Sequence, residues 1–533
     1  MCFSDAVHSR LWTGLQAVCR CLVEMGVEDL ALHNNYMIFV SIVLPILAGV
    51  LLLVTPDRVF KSRQMLINMT AVSFVVCALS PVLVILRQTG NTLLLFFLVD
   101  EIPVFFAVDH LGRIFAGIVL LVFLLAGFFS FVYMSHEKNE KRYYGFYLIT
   151  FGVLLGLCFS GNLVTLYLFY EFMTLVSMPL VLHTGSKEAV MAGLKYLFYS
   201  FCGAYMALFG IYFLYQYAIA FDDVEYQLWS GGYETSRHML SFVSGGSLNL
   251  KAVAESGNTV LCLIAVFMMI VGFGVKAGCF PLHAWLPTAH PVAPAPASAF
   301  LSGIIVKGGV LAIVRTVYYV VGAEFLRGTW VQAVWASLAV VTLLMGSSLA
   351  FKEKVLKKRL AYSTVSNLSY ILLGLSMLNA TAFTGSILHV VFHAVIKSAL
   401  FLSAGALIFI TKNTKVNDFI GLGKRMPVLF WSYTVVSLGL IGIPPTSGVV
   451  SKWYLAVGCL ESGLTGLSWI GPAALLISAL LTAGYLLPIS IRAFLKETDY
   501  EAVRNDYREP RPLMLVPIVI LAAVTLVLGL CPT

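Results

Sequence analysis

The amino-acid sequence describes an all-α integral membrane protein with about fourteen transmembrane helices. Only 11% of its 533 residues are charged and 59% are hydrophobic. A soluble globular chain carries roughly a quarter charged residues, so much of this surface faces lipid. Apolar runs of about 20 residues, enough to cross a bilayer, recur along almost the whole chain. Basic residues alternate between the connections that separate these runs, as they do in a polytopic protein with one fixed orientation.

The spans read as 37–54, 66–86, 108–134, 143–159, 162–183, 190–218, 257–280, 295–321, 329–351, 362–379, 385–411, 428–450, 467–491 and 512–530. The 87–107 connection holds an apolar piece, Leu93 to Val99, too short to span, which fits a surface hairpin. Residues 1–36 form an N-terminal extension in which Leu11, Leu15, Val18 and Leu22 repeat at helical spacing, as in an interfacial helix. Connections after odd-numbered spans hold most of the Lys and Arg, including the run Lys352–Arg359, whereas those after even-numbered spans hold Arg87, Arg237, Lys251 and Arg327. By the positive-inside rule the odd connections are cytoplasmic, which puts both termini outside a cell inner or plasma membrane.

Composition also excludes some functions. The net charge of +8 comes with no basic stretch interleaved with aromatics, so nucleic acid is not an expected partner. Most cysteines sit singly in apolar runs, such as Cys77, Cys158, Cys202 and Cys262. Cys19 and Cys21 lack the second pair a metal site or cluster needs. No haem-attachment motif or Gly-rich dinucleotide turn is present, so no cofactor, metal or catalytic centre is expected.

The informative residues are charges inside the spans. Each costs about 2.5–3.5 kcal/mol on the most lenient scale unless paired or hydrated. Glu171 lies mid-span in LFYEFMTLVSMPLVL, and Lys195 follows in GLKYLFYSF; both are a similar distance from the turn between them, so a Glu171–Lys195 pair is the simplest expectation. Lys276 is preceded by glycines and followed by Pro281, Pro287, Pro291, Pro294 and Pro296, which forbid a continuous helix. A broken span beside a buried cation frees backbone carbonyls to stabilise charge. Lys307 lies in the next span. His389, His393 and Lys397, at i, i+4 and i+8, stack on one helix face. Lys452 follows Pro444, Pro445 and Gly448, a second interrupted span with a second lysine.

Each has a blander reading. A lysine near a helix end snorkels to the headgroups, Glu171 and Lys195 neutralise one another structurally, and a single histidine such as His183 or His290 packs as a core residue. Together the set is costly without a use. A buried lysine tuned by a nearby carboxylate stores and releases a proton, and histidine passes protons between water chains.

These segments resemble the antiporter-like subunits of respiratory complex I, the D-type subunit of multi-subunit cation/proton antiporters and related subunits of membrane-bound hydrogenases. The resemblance runs from about residue 108 to 490 and rests on GNLVTLYLFYEFMTLVSMPL, FGVKAGCFPLHAWLPTAHPVAPAPASAFLSGIIVKGGVLAIVR, KKRLAYSTVSNLSY, HVVFHAVIKSALFLSAG and KRMPVLFWSYTVVSLGLIGIPPTSGVVSKWYLA. It implies two five-helix repeats of inverted topology, at 143–321 and 329–491, after three spans over 37–134 and before a loop and last span over 492–533. The broken helices would be the seventh, at Pro281, and the twelfth, at Pro444, Pro445 and Gly448. By motif position Glu171 matches the essential glutamate, Lys276 the seventh-helix lysine, Lys307 the eighth-helix relay, His393 and Lys397 the central relay and Lys452 the terminal exchange residue. The chain departs from the pattern at Val355, where an acidic residue is common, and after Lys276, where Ala277 and Gly278 stand near an expected proline. Lysine rather than glutamate at 452 favours the antiporter D-type or lysine-bearing complex I subunits. The chain ends with its fourteenth span, without the lateral helix of the largest such subunit.

The expected function is therefore proton translocation, with sodium left open as a second ion, inside a redox-driven complex I-like or hydrogenase-like assembly of several membrane subunits. The alternatives are the D-type subunit of a non-redox sodium/proton antiporter and the membrane partner of an inorganic-carbon uptake system.

Overall fold

The computed structural model describes residues 30–86, 92–98, 102–218, 240–495 and 507–531. The expected interfacial helix, Cys19, Cys21, Arg87 and Arg237 lie outside these. The described chain is almost wholly helical. In order the helices are α1 Leu30–Val54, α2 Arg63–Leu86, α3 His110–Tyr133, α4 Glu140–Cys158, α5 Leu163–Val181 and α6 Lys187–Tyr215. α7 comes in two halves, Thr259–Gly274 and Leu286–Val292, and α8 runs over Ala295–Val321. Then come α9 Trp330–Lys352, α10 Leu356–Ser376 and α11 Ala380–Thr411. α12 has halves Pro427–Ile441 and Gly448–Leu460, and α13 Leu467–Leu495 and α14 Pro512–Leu530 complete the set. Among the described residues ten helices are long and apolar enough to cross a membrane, and the first half of α7 and both halves of α12 are shorter apolar helices. The protein is a multi-pass membrane protein.

Polar residues mark where spans begin. The side chains of Asp109, Asn162, Ser186 and Asn379 accept from the backbone N–H three residues on, capping α3, α5, α6 and α11. Both interruptions fall where proline and glycine require them. The first half of α7 ends at Gly274, and Gly278 adopts φ 70° before Pro281. The first half of α12 ends at Gly442, φ 90°, before Pro444 and Pro445. Sequence boundaries suffer most at these breaks. The second half of α7 lies beyond the 257–280 span, and the second half of α12 carries that span ten residues past 450, because helix resumes once the prolines have passed.

The connection after α2 holds a hairpin, β1 Thr92–Leu98 against antiparallel β2 Ile102–Ala107. It is not simply a surface feature. β2 buries Val104, Phe105 and Phe106, since Ala107 N–H donates to Phe159 O, Gly161 N–H to Phe105 O and Asn162 Nδ2 to Pro103 O.

The core is formed by α8 and α11. α8 is enclosed along all but Tyr318 and Tyr319 near its end, and α11 packs against α3, α8, α10, both halves of α12 and α14. α6 and α7 meet through Gly203 and Gly272, where an added Cβ on either would come within 2.4 Å of the other's carbonyl oxygen, a small-residue contact of the kind membrane helices use. The helices that form the core are thus the ones that carry Lys307, His389, His393 and Lys397.

Candidate functional site

Lys276 sits in the break of α7, fully buried. Its Nζ donates to Thr174 Oγ1 of α5 at 2.7 Å and to Tyr196 OH and Ser200 Oγ of α6, both at 2.9 Å. The rings of Tyr196, Tyr170 and Trp285 lie 4.3, 5.7 and 6.0 Å from the ammonium, so three hydroxyls and three aromatic faces replace water. α8 passes directly beside this lysine: a Cβ on Gly309 would lie 2.8 Å from Lys276 Cβ.

Glu171, one turn before Thr174, is half-buried, and its Oε1 is buried without a hydrogen-bond partner. The charge acting on it is that of Lys276. The expected Glu171–Lys195 pair does not form: none of the ion pairs among the described residues includes either group. Lys195 instead donates to Thr288 Oγ1 at 3.1 Å, in the second half of α7. Similar depth along two neighbouring helices did not suffice, because the rotation of α6 aims this side chain at α7 rather than α5.

Lys307, buried in α8, donates to Ser302 O at 2.5 Å. That carbonyl belongs to a π-helical turn, Leu301–Ile305, where the wider backbone loosens the regular ladder. The charge that acts on Lys307 is Lys397 of α11. Lys397 is buried too and donates to Leu360 O at 3.1 Å and Ser363 Oγ at 2.6 Å, both of α10. Along α11 the rings of His389 and His393 stack 5.8 Å apart, as the i, i+4 spacing requires. His389 Nδ1 is 2.9 Å from Ser451 Oγ of the second half of α12, and neither ring nitrogen of His393 has a partner.

Lys452 belongs to that same half-helix. It does not snorkel: its Nζ donates to Leu440 O and Ile441 O, both at 2.7 Å, the free carbonyls that end the first half of α12. The negative end of a helix dipole therefore faces the ammonium, and the Tyr370 ring lies 5.0 Å away. Pro281 and the Pro444, Pro445 and Gly448 group all stand in the two breaks. Gly448 is required sterically, because a Cβ there would lie 1.9 Å from Gly439 O.

The two single histidines differ. His183, in the turn after α5, donates from Nε2 to Lys138 O at 2.9 Å; burial and the Arg142 charge push its pKa down to about 4, so it stays neutral. His290, in the second half of α7, stacks on Phe401 at 4.7 Å, but neither of its ring nitrogens has a partner.

Several neighbours of the site escape sequence reasoning: Thr174, Tyr196, Ser200, Ser363 and Lys357. Lys357 donates to Pro291 O at 3.1 Å and Ala293 O at 2.5 Å, capping the second half of α7 as Lys452 caps the first half of α12. A signal exists for some of them. α10 carries Ser363, Thr364, Ser366, Asn367 and Ser369 within seven residues of a buried helix, a density that lipid-facing packing does not need.

Known proteins resemble this chain in sequence and in fold. Residues 160–482 match the family model described as NADH:quinone oxidoreductase/Mrp antiporter, TM. The N subunit of the NADH-quinone oxidoreductase of Desulforudis audaxviator is 33% identical over 408 residues, covering 74% of this chain and 75% of its own. The D-type subunit of the Na(+)/H(+) antiporter of Bacillus subtilis is 28% identical over 503 residues, 93% of this chain and 94% of its own. Among solved structures, the Mrp complex of Dietzia sp. DQ12-45-1b superposes with a TM-score of 0.75 at 20% identity, covering 94% of this chain and 95% of the matched one.

Proposed function

The chain belongs to the NADH:quinone oxidoreductase/Mrp antiporter transmembrane family, and from that premise we propose that it translocates protons as an antiporter-like subunit of a redox-driven, complex I-like or hydrogenase-like membrane assembly. The observation that carries this reading is the series Lys276, Lys307, Lys397, His393, His389 and Lys452, all but the last fully buried, which runs from one broken helix to the other through the core helices α8 and α11. Each member is held by neutral hydroxyls, carbonyls or rings rather than by a carboxylate. With no carboxylate bonded to them, these groups do not have their protons locked into an ion pair. Glu171, poised beside Lys276, is the carboxylate that loads the first site, and Lys452 exchanges protons at the far end. Lys195, bound to Thr288 here, is the second cation able to reach toward this pair.

This reading includes two inverted five-helix repeats, α4–α8 and α9–α13, each with one broken helix, and about fourteen spans. It places both termini outside the cell inner or plasma membrane, and other membrane subunits as the chain's partners. A second reading is supported by the nearly end-to-end alignment with a D-type antiporter subunit: a non-redox assembly in which sodium moves against protons. Purification of the native assembly separates the two by its neighbours, iron–sulfur subunits or small antiporter subunits.

The test of translocation is reconstitution of that assembly in vesicles with Glu171→Gln and Lys276→Ala variants. Both variants should insert and assemble, and proton uptake should fall at least tenfold. Wild-type uptake by both variants rules the proposal out.

A further inference from the structure

We propose that Tyr485 of α13 is a positioning residue for Lys397, acting through Ser363 so that one hydroxyl serves the lysine in both its charged and its neutral form. The inference rests on the reading above that Lys397 gains and loses a proton.

Lys397 has few partners. One of its two acceptors, Leu360 O, is a carbonyl that already accepts from Thr364 Oγ1 at 2.9 Å. A carbonyl can only accept, so it takes an N–H from either form but offers nothing to the lone pair that a neutral amine exposes. Ser363 Oγ, at 2.6 Å, is the single side-chain partner, and a hydroxyl can do both. When Lys397 is charged, Ser363 accepts its N–H. When Lys397 is neutral, the serine is the one bonded partner that can turn a proton toward the new lone pair. A serine inside a helix otherwise tends to donate to the carbonyl one turn back, so something has to hold its oxygen in place.

Tyr485 is arranged to do this. Its OH donates to Ser363 Oγ at 2.9 Å, from a ring that is 1% exposed. The phenol oxygen is also 3.2 Å from Thr482 Oγ1 on the preceding turn, and Thr482 in turn donates to Ser478 O at 2.7 Å. The hydroxyl series therefore ends on a carbonyl and does not continue as a route across the membrane. It is a support for Lys397. Tyr485 is gripped at its other end as well: Arg359 Nη1 donates to Tyr485 O at 2.8 Å. Arg359 and Ser363 are one turn apart on α10, so that helix fixes Tyr485 at its carbonyl and at its hydroxyl. Arg359 is anchored in turn by Nε and Nη2 on Glu353 O, at 2.8 and 2.6 Å. A donor into Ser363 strengthens the bond that serine makes outward, since linked hydrogen bonds polarise one another.

The experiment uses the native assembly with all its subunits, reconstituted in vesicles, with proton uptake measured for wild type, Tyr485→Phe, Ser363→Ala, the double variant and Lys397→Ala. Phenylalanine keeps the ring and its packing and removes one oxygen. Uptake by Tyr485→Phe should fall about five- to tenfold, the effect of one hydrogen bond, with assembly unchanged. The double variant should be no slower than Ser363→Ala, because the tyrosine acts only through the serine. Wild-type uptake by Tyr485→Phe alongside an inactive Lys397→Ala overturns this inference and leaves the proposed function standing. Multiplying defects in the double variant, or failure of Tyr485→Phe to assemble, also overturn it by making the tyrosine's role independent or structural. Wild-type uptake by Lys397→Ala removes the proposed function, and this inference with it.

Discussion

Replacing Lys452 by arginine and by methionine separates a lysine that merely caps a broken helix from one that exchanges protons. In its present position the ammonium makes two charge-assisted bonds, to Leu440 O and Ile441 O at 2.7 Å. Bonds of this kind contribute about 1.5–3 kcal/mol each, and the helix end adds about 0.3–1 kcal/mol. Against this stands about 2.5–3.5 kcal/mol for holding a charged lysine within the membrane. The balance favours the capped charge by about 0–4 kcal/mol. Methionine keeps the length and loses the charge, so Lys452→Met should lower the melting temperature of the detergent-solubilised assembly by a few degrees. Arginine can make the same carbonyl bonds but does not deprotonate in proteins. Lys452→Arg should therefore melt near wild type and yet lose proton uptake by more than tenfold in vesicles. A Lys452→Arg assembly that pumps at the wild-type rate would show that this residue is a fixed cap, and the exchange role would be wrong.

Two further predictions concern the frame around the site. Arg315, buried in α8, is held bidentately by Asp109, whose oxygens lie 2.5 and 2.7 Å from its guanidinium nitrogens. Burial alone would raise the Asp109 carboxyl, but the Arg315 hydrogen bonds and charge, with the Gly112 N–H, outweigh it and hold the pKa below the ordinary carboxylate range. The sign follows: the pair's contribution is complete above the ordinary carboxylate pKa of about 3.9 and is lost as pH falls through the lower folded value. Breaking a buried pair costs about 3–5 kcal/mol; with the Asp109 side chain 36% exposed, water screens the loss, and Asp109→Asn should cost about 2 kcal/mol at neutral pH and flatten the acid limb of a melting-temperature profile. An acid limb identical to wild type would show that other carboxylates set it. Gly448→Ala should disrupt the break of α12, since its Cβ would lie 1.9 Å from a backbone oxygen, whereas Gly117→Ala meets nothing within 4 Å and should assemble normally; equal yields of the two would refute the steric argument.

The frame is readable in the sequence because its strongest signals are one-dimensional. Hydrophobic run lengths locate helices, and proline and glycine clusters locate the two breaks. The i, i+4, i+8 spacing puts His389, His393 and Lys397 on one face without reference to any neighbour. What sequence could not provide was the rotation of one helix against another. Lys195 and Glu171 stand at comparable depth, yet Lys195 turns to Thr288 and Glu171 is left to the field of Lys276. The hydroxyls around Lys276 and Lys397 were hidden for the same reason. Serine and threonine are ordinary in membrane helices, and only the packing of α5, α6, α10 and α13 shows which of them face an ammonium. β2 reads as surface in the sequence because its burial depends on backbone bonds to the loop between α4 and α5.

Those partners sort Lys276, Lys307, Lys397 and Lys452 into two kinds. Lys307 and Lys452 rest on carbonyls alone, groups that accept and never donate, so no bonded partner there can serve the lone pair of the neutral form. Lys276 and Lys397 touch hydroxyls, which can reverse direction and accommodate either form. In the proposed function a proton therefore leaves Lys276 or Lys397 with little movement of protein atoms, whereas discharge of Lys307 or Lys452 leaves the new amine lone pair without a donor until water enters or the side chain swings away. Along the proposed path of transfer the kinds alternate: hydroxyl-held Lys276, carbonyl-held Lys307, hydroxyl-held Lys397, carbonyl-held Lys452. An easily discharged site beside one that holds its charge is an arrangement in which a proton moves only when the local field changes. Glu171 at one end, half-buried and without a hydrogen-bond partner on Oε1, is the group whose displacement would change that field first.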